Sequence, residues 1–336
     1  MQNIVVIVQA RMGSERFPGK MLKKISETGK PVIISSGISS FDDLDQAISI
    51  FDEFDIDVIY HAAAYKHVPL MENNPHEAIL TNILGTKQVA DLAAKFKVGH
   101  FVMVSTDKAV HPVNVMGATK RLAERIIQTV ENNKTEFFAV RFGNVIGSSG
   151  SVIPTFQRQI EKGGPVTITH PEMTRYFMSI PEASQLILQT GAIGKNGQIF
   201  VLDMGEPIKI KDMAFDLIRL SGFEPEKDIH VTYTGLRPGE KLYEELITKG
   251  ENFEKTTHKK IMIIQDKAPQ KSWSVFKKEI DALQNTIKTF DSDIIKNQLE
   301  SLLPEYEPQD SYPPIPDNYL SEKLQEIEGS TIKGEA

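Results

Sequence analysis

Residues Gly99–Arg125 read GHFVMVSTDKAVHPVNVMGATKRLAER, and the fold turns on how that stretch is read. The apolar run His100–Val104 has the length and composition of a buried parallel strand. It stops at Ser105-Thr106-Asp107-Lys108, four polar side chains at what becomes the strand's C-terminal end. Open α/β sheets bind their ligands at that end. A turn with Pro112 and Asn114 follows, and a helix is expected from about Met116. Met116 and Lys120 are four residues apart on it and share a face.

Outward from there, helices and strands alternate, which is the pattern of a doubly wound α/β sheet. Upstream, Phe41–Phe54 has helical periodicity, with Leu44, Ala47, Ile48 and Phe51 on one face. Asp57–Tyr60 reads as a strand that ends in His61-Ala62-Ala63-Ala64, followed by Lys66 and His67. A helix over Pro75–Lys95 carries Asn82, whose amide could equally be a capping or solvated group. Downstream, Phe137–Phe142 is a strand leading into the glycine-bearing stretch Gly143–Pro154. Its glycines are spaced Gly-x-x-x-Gly-x-x-Gly and follow the helix carrying Lys120. That is the wrong spacing and the wrong half of the fold for a dinucleotide fingerprint.

STDKA, NVMGATKR and the upstream HAAAYKHVPLMENNP (His61–Pro75) resemble the nucleotide-sugar 4,6-dehydratases, a group of extended short-chain dehydrogenase/reductases. Met116 stands where that group usually has tyrosine. The resemblance is therefore to the configuration-retaining UDP-N-acetylglucosamine 4,6-dehydratases of bacterial polysaccharide synthesis, over roughly Leu44–Gln309. It implies a tightly held, recycled NAD (NAD+ or NADP+), a UDP-sugar substrate and a homo-oligomer. Catalytic work is implied for Thr106, Asp107, Lys108 and Lys120, and cofactor contact for Ala62, Ala63, Ala64, Lys66, Asn82 and Lys120. Lys66, Asn144, Val152, Arg175, Arg237 and Glu240 are implied to bind substrate. Arginine at two such places suits phosphate, because its planar fork binds oxygens bidentately. A thioether has no ionisable proton, so Met116 cannot be the base. Proton transfer then falls to Thr106, Asp107 and Lys108, with Asp107 at the departing O6 and Lys108 at C5. The Lys108 role requires its surroundings to lower its pKa.

The first residues read differently. Asn3–Val8 is a strand followed by Gln9–Lys20, QARMGSERFPGK, which looks like the nucleotide loop of the sugar cytidylyltransferases. Gly29–Ser40 is similar to one barrel strand of the sialic-acid synthases, but one strand cannot build such a site. Each βαβ unit takes about 30 residues, and only 56 residues precede Asp57. No Gly-x-x-Gly-x-x-Gly occurs among them. The expected layout is a fragmentary segment at 1–43, a truncated dinucleotide-binding domain at 44–150, a substrate region at 151–310 and a flexible tail at 311–336. The sheet is expected to be partial, with its first dinucleotide-binding units missing. Two other functions are carried: a non-catalytic UDP-sugar binder, and a cytidylyltransferase resting on Val8–Lys20.

Bulk properties narrow the field. At 336 residues with 40% apolar content, the chain can bury a sizeable core. A net charge of −7 argues against a general nucleic-acid binder. Without cysteine there is neither disulfide nor thiolate metal site, and no metal is expected. No apolar run reaches membrane-spanning length, so a cytoplasmic protein is expected. Pro304–Pro316, proline-rich and acidic, is expected to be extended.

Overall fold

The computed structural model describes residues 4–9, 32–37, 57–131, 134–148, 150–247, 252–264 and 272–309. Its main sheet includes β1 (Ile4–Gln9), β2 (Val32–Gly37), β3 (Val58–His61), β4 (His100–Val104) and β5 (Glu136–Arg141). β6 (Ile199–Leu202), β7 (Phe253–Lys255) and β8 (Ile261–Ile264) complete it. The order is β7-β8-β6-β5-β4-β3-β1-β2. Every pairing from β2 to β6 is parallel, and β8 and β7 run antiparallel at one edge.

The N-terminal strands expected as leftovers thus extend the sheet. β1 pairs with β3 from Val5↔Val58 to Val8↔His61, and β2 lies on its far side. The chain leaves β1 in one direction and reaches β3 in the other, which makes this edge the topological switch point. Register explains the placement: a six-residue strand needs only unpaired backbone beside it to join a sheet, whatever family its sequence resembles. The 41–54 helix, the loop after Gln9 and the tail from 310 lie outside the described residues.

Alternation along the strands feeds two cores. Ile59, Phe101, Met103 and Phe137 face one layer of helices, and Tyr60, Val102, Phe138 and Val140 the other. The first layer holds α1 (Val68–Asn73), α2 spanning 75–95, and α3 (Val115–Thr129). α2 is one helix in three parts: Pro75–Ala78, a π-helical Ile79–Gly85 and Thr86–Lys95. α4 (Val152–Glu161) follows the glycine-bearing stretch after β5, and α5 (Ile180–Ile193) covers the second face. α6 (Ile210–Leu220) packs with α4 in a third, smaller core. Residues 273–302 form two helices, α7 (Trp273–Thr286) and α8 (Ser292–Leu302). Phe290, left-handed at φ 56, and the N-cap Asp291 make the break. After α8 the segment expected to be extended opens instead with a turn at Pro304-Glu305, closed by the Tyr306 N–H to the Leu303 carbonyl, and from residue 310 it lies outside the described residues. It does not hang free: Glu307 and Gln309 donate backbone bonds to Pro112 and Val113. No helix among the described residues is long and apolar enough to cross a membrane.

Candidate active site

β3, β4 and β5 all end at one cleft of about 530 Å³. Its wall begins where β4 stops. There Thr106 caps a single 3₁₀ turn, Asp107–Ala109, accepting from the Lys108 N–H and donating to Asp107 Oδ1 at 2.8 Å. Asp107 is fully buried. Lys108 Nζ meets three acceptors: Asp107 Oδ1 at 3.0 Å, Asn144 Oδ1 at 3.4 Å and Glu244 Oε1 at 3.5 Å.

α3 starts beside this turn because Asn114 caps it, its Oδ1 accepting from Gly117 N–H at 2.7 Å. Gly117 is required there, since a Cβ would sit 2.2 Å from the Lys108 carbonyl oxygen. The close approach brings Met116 and Lys120 to the cleft wall. Lys120 donates to the Val104 carbonyl at 2.7 Å. Burial lowers its pKa to about 8, with Glu124 offsetting part of the fall.

Of the residues marked out by sequence, Ala62, Ala64, Lys66, Thr106, Lys108, Lys120, Asn144, Val152, Arg175, Arg237 and Glu240 all line this cleft. Lys66 donates to Ser148 Oγ at 3.2 Å, and its pKa is lowered by burial and by Lys108. Asp107 stands just behind the wall, and Ala63 packs into the core below β3. Asn82 sits deeper still, completely buried. Its amide accepts from the Tyr65 N–H and donates to the Tyr65 carbonyl and Thr119 Oγ1, pinning the loop that carries Lys66.

The two arginines differ. Arg175 is buried and already spends its guanidinium on the carbonyls of Thr174, Lys241 and Leu242. Arg237 is exposed at the mouth, and its side chain makes no ion pair among the described residues. Its backbone N–H donates to Glu240 Oε2 at 3.2 Å.

The electrostatics reverse one expectation. Burial alone would lower the Lys108 pKa, but the Asp107 and Glu244 carboxylates outweigh burial and Arg175, and the net shift is upward. Sequence reasoning passed over Glu244, which reads as half of an acidic pair in KLYEEL and carries no local mark of burial. It also missed the network under the strand ends. Glu124 accepts from Ser105 Oγ at 2.6 Å, from Arg121 at 3.0 Å and from two nitrogens of Arg141 at 2.8 Å.

Burial pushes the Glu124 carboxyl up, yet Arg141, Arg121 and Ser105 bring it down to about 2. A carboxylate depressed by folding stabilises above its unfolded pKa and loses that contribution as pH falls through its folded one. Glu124→Gln is therefore expected to be less stable than the parent at pH 7, with the gap closing between the ordinary carboxylate range and about pH 2. Denaturant melts at several pH values read this directly; a gap independent of pH would mean that the charge contributes nothing.

Comparison with known proteins completes the picture. The model of a family described as polysaccharide biosynthesis proteins matches residues 2–266, including the N-terminal strands. The capsular polysaccharide biosynthesis protein CapD of Staphylococcus aureus is 62% identical over 216 residues, covering 64% of this chain and 36% of CapD. The chain thus spans little more than a third of that relative's length. The solved structure of Pen from Bacillus thuringiensis is 30% identical with a TM-score of 0.66, covering 81% of this chain and 92% of Pen. DesIV, a dTDP-glucose 4,6-dehydratase of Streptomyces venezuelae solved with NAD bound, shares the fold at a TM-score of 0.57 and 17% identity. The alignment covers 72% of this chain and 88% of DesIV. With the family's model matching residues 2–266, the chain belongs to the polysaccharide biosynthesis protein family, and its relatives include a UDP-glucose 4-epimerase of Rickettsia canadensis, 42% identical over 197 residues, which cover 57% of this chain and 56% of that protein.

Proposed function

We propose that the chain is the catalytic and sugar-binding part of a UDP-N-acetylglucosamine 4,6-dehydratase, using NAD and yielding a UDP-4-keto-6-deoxy sugar. The observation that carries this is the hydrogen-bonded Thr106–Asp107–Lys108 cluster, whose Thr106 and Lys108 line the cleft beside Met116 and Lys120 with Asp107 directly behind them. An aldehyde- or ketone-forming site of this fold that worked through tyrosine would need one at position 116; this cleft offers a carboxyl–ammonium pair instead.

The described residues fit the nicotinamide half of a dinucleotide. Ala62 and Ala64 leave room against the backbone, and the nearly buried Lys120 amine stands at the wall. Bound there, NAD supplies a reversible hydride acceptor for C4 of the sugar. The chain's own task is the loss of water across C5 and C6. Because the Lys108 pKa is raised and not lowered, the neutral amine is reached only by passing its proton to Asp107, 3.0 Å away, which leaves an amine and a carboxylic acid. The amine takes the C5 proton, the acid gives its proton to the departing O6 hydroxyl, and the starting ion pair is restored. Thr106 is left to accept a hydrogen bond from the O4 hydroxyl, whose proton passes to solvent as the ketone forms; when C6 takes the hydride back, Lys108 returns a proton to C5 and regains one from solvent.

Arg237 and Lys66 are the cations open to the diphosphate, while Arg175 braces the segment that carries Arg237. Hydrogen bonds to charged groups are worth about 1.5–3 kcal/mol, so Arg237→Ala should weaken UDP binding by about that amount. Calorimetry with UDP checks it, and unchanged affinity would leave Arg237 as an ordinary surface cation. The function itself is tested by incubating the protein with UDP-N-acetylglucosamine and saturating NAD. Mass spectrometry should show loss of water with the nucleotide intact. Binding without water loss at any NAD concentration would instead support a non-catalytic UDP-sugar binder. That second reading is favoured by one observation, the missing glycine turn after β1.

A further inference from the structure

Glu244 lies on the irregular segment after Gly239, outside every motif named above, yet its side chain is only 3% exposed. One of its oxygens, Oε1, stands 3.5 Å from Lys108 Nζ and 3.8 Å from Arg175 Nε. The other, Oε2, is buried and has no hydrogen-bond partner. A carboxylate removed from water with one oxygen unpaired is costly unless strong charge pairing compensates. Here the compensation comes from two cations, one on the catalytic turn and one bracing the substrate segment.

We infer that Glu244 is a positioning residue that holds the Lys108 ammonium in place and sets the pH above which the Asp107–Lys108 pair loses its working proton. With Asp107, Asn144 and Glu244 around it, Nζ has an acceptor for each of its three N–H bonds. The charges facing it are Asp107 on its own turn, Glu244, Arg175 from the substrate region, and Lys66 from the loop after β3. The two cations disfavour the ammonium and the two carboxylates favour it, so removing either carboxylate tips the balance. The net upward shift of Lys108 agrees with this geometry. The same carboxylate joins the brace of the substrate segment to the catalytic turn, so a displacement of that segment would be felt at Nζ.

This inference rests on the dehydratase reading for its effect on turnover but not for its effect on Lys108. The test therefore uses no substrate. The whole protein is labelled with acetic anhydride across a range of pH, and the labelling of each lysine is followed by peptide mass spectrometry. In Glu244→Gln the midpoint for Lys108 should move to lower pH and its labelling at neutral pH rise several-fold, while exposed lysines such as Lys227 stay put. If that variant does not fold, Glu244→Asp carries the test. Its shorter carboxylate retreats from Nζ while still offering charge to Arg175, and the midpoint should still move down. A Lys108 midpoint unmoved in the folded variant would overturn the inference. Where turnover is measurable, the high-pH limb of kcat in Glu244→Gln should move the same way with KM little changed. A wild-type protein that dehydrates no sugar, with the labelling shift still seen in Glu244→Gln, would sink the functional reading and leave Glu244's role standing.

Discussion

Titrated with NAD, the chain is expected to bind about two to four decades more weakly than a relative that keeps a Gly-x-x-Gly-x-x-Gly turn after its first strand. A pyrophosphate carries two negative charges, and this fold normally holds them with glycine-turn amides at a helix N-terminus. β1 stands where that turn should begin, since its end is level with His61 at the switch point. The residues that follow, Ala10–Lys20, are ARMGSERFPGK, with glycines only at 13 and 19 and Pro18 between them. Proline lacks the N–H that such a cradle uses. Each lost charge-assisted bond is worth about 1.5–3 kcal/mol, and two of them amount to two to four decades, roughly, at 1.4 kcal/mol per decade. Ala62, Ala64 and Lys120 would still address the nicotinamide end. Equilibrium titration by fluorescence or calorimetry checks the figure. A micromolar dissociation constant would show that the Arg11 and Lys20 side chains replace the missing amides.

Asp107→Asn and Lys108→Ala should each cost about 10²–10⁴ in turnover, the usual worth of a positioned acid or base. UDP affinity should stay within a few-fold, because neither side chain is placed at the mouth where Arg237 stands. The comparison is made at saturating NAD, so that weak cofactor binding does not mask the chemical step. Asn at position 107 keeps the shape but cannot carry the proton between Nζ and O6. Alanine at 108 removes the amine and leaves Asp107 and Glu244 as facing buried carboxylates. Met116→Tyr should not raise the rate, since a phenol there would be added to a mechanism already served by the pair. Near-normal turnover in Lys108→Ala would remove Lys108 from the chemistry altogether.

Local signals made the catalytic segment legible. An apolar run, a polar stop and an Asn-led helix start are each written within a few residues, and β4, the 3₁₀ turn and α3 follow them closely. The same holds for β3, α2 and β5, expected at 57–60, 75–95 and 137–142. Most residues marked out by motif do meet in one cleft, because strand ends of a parallel sheet converge on one edge.

Longer-range facts were closed to that reading. That Ile4–Gln9 and Val32–Gly37 join this sheet depends on backbone pairing, of the first with β3 and of the second with the first, which no residue type announces. That Arg175 braces backbone carbonyls while Arg237 stays open depends on where the chain returns at Lys241 and Leu242. The proton affinity of Lys108 is decided furthest away of all. Its neighbour Asp107 is visible in the sequence, but Glu244 arrives from the irregular segment after Gly239, more than a hundred residues on, and burial multiplies the effect of its charge. Sequence by itself determined which groups could do the chemistry; tertiary structure decided which of them are charged, occupied or free, because Coulomb energy and desolvation depend on distances that only the folded chain sets.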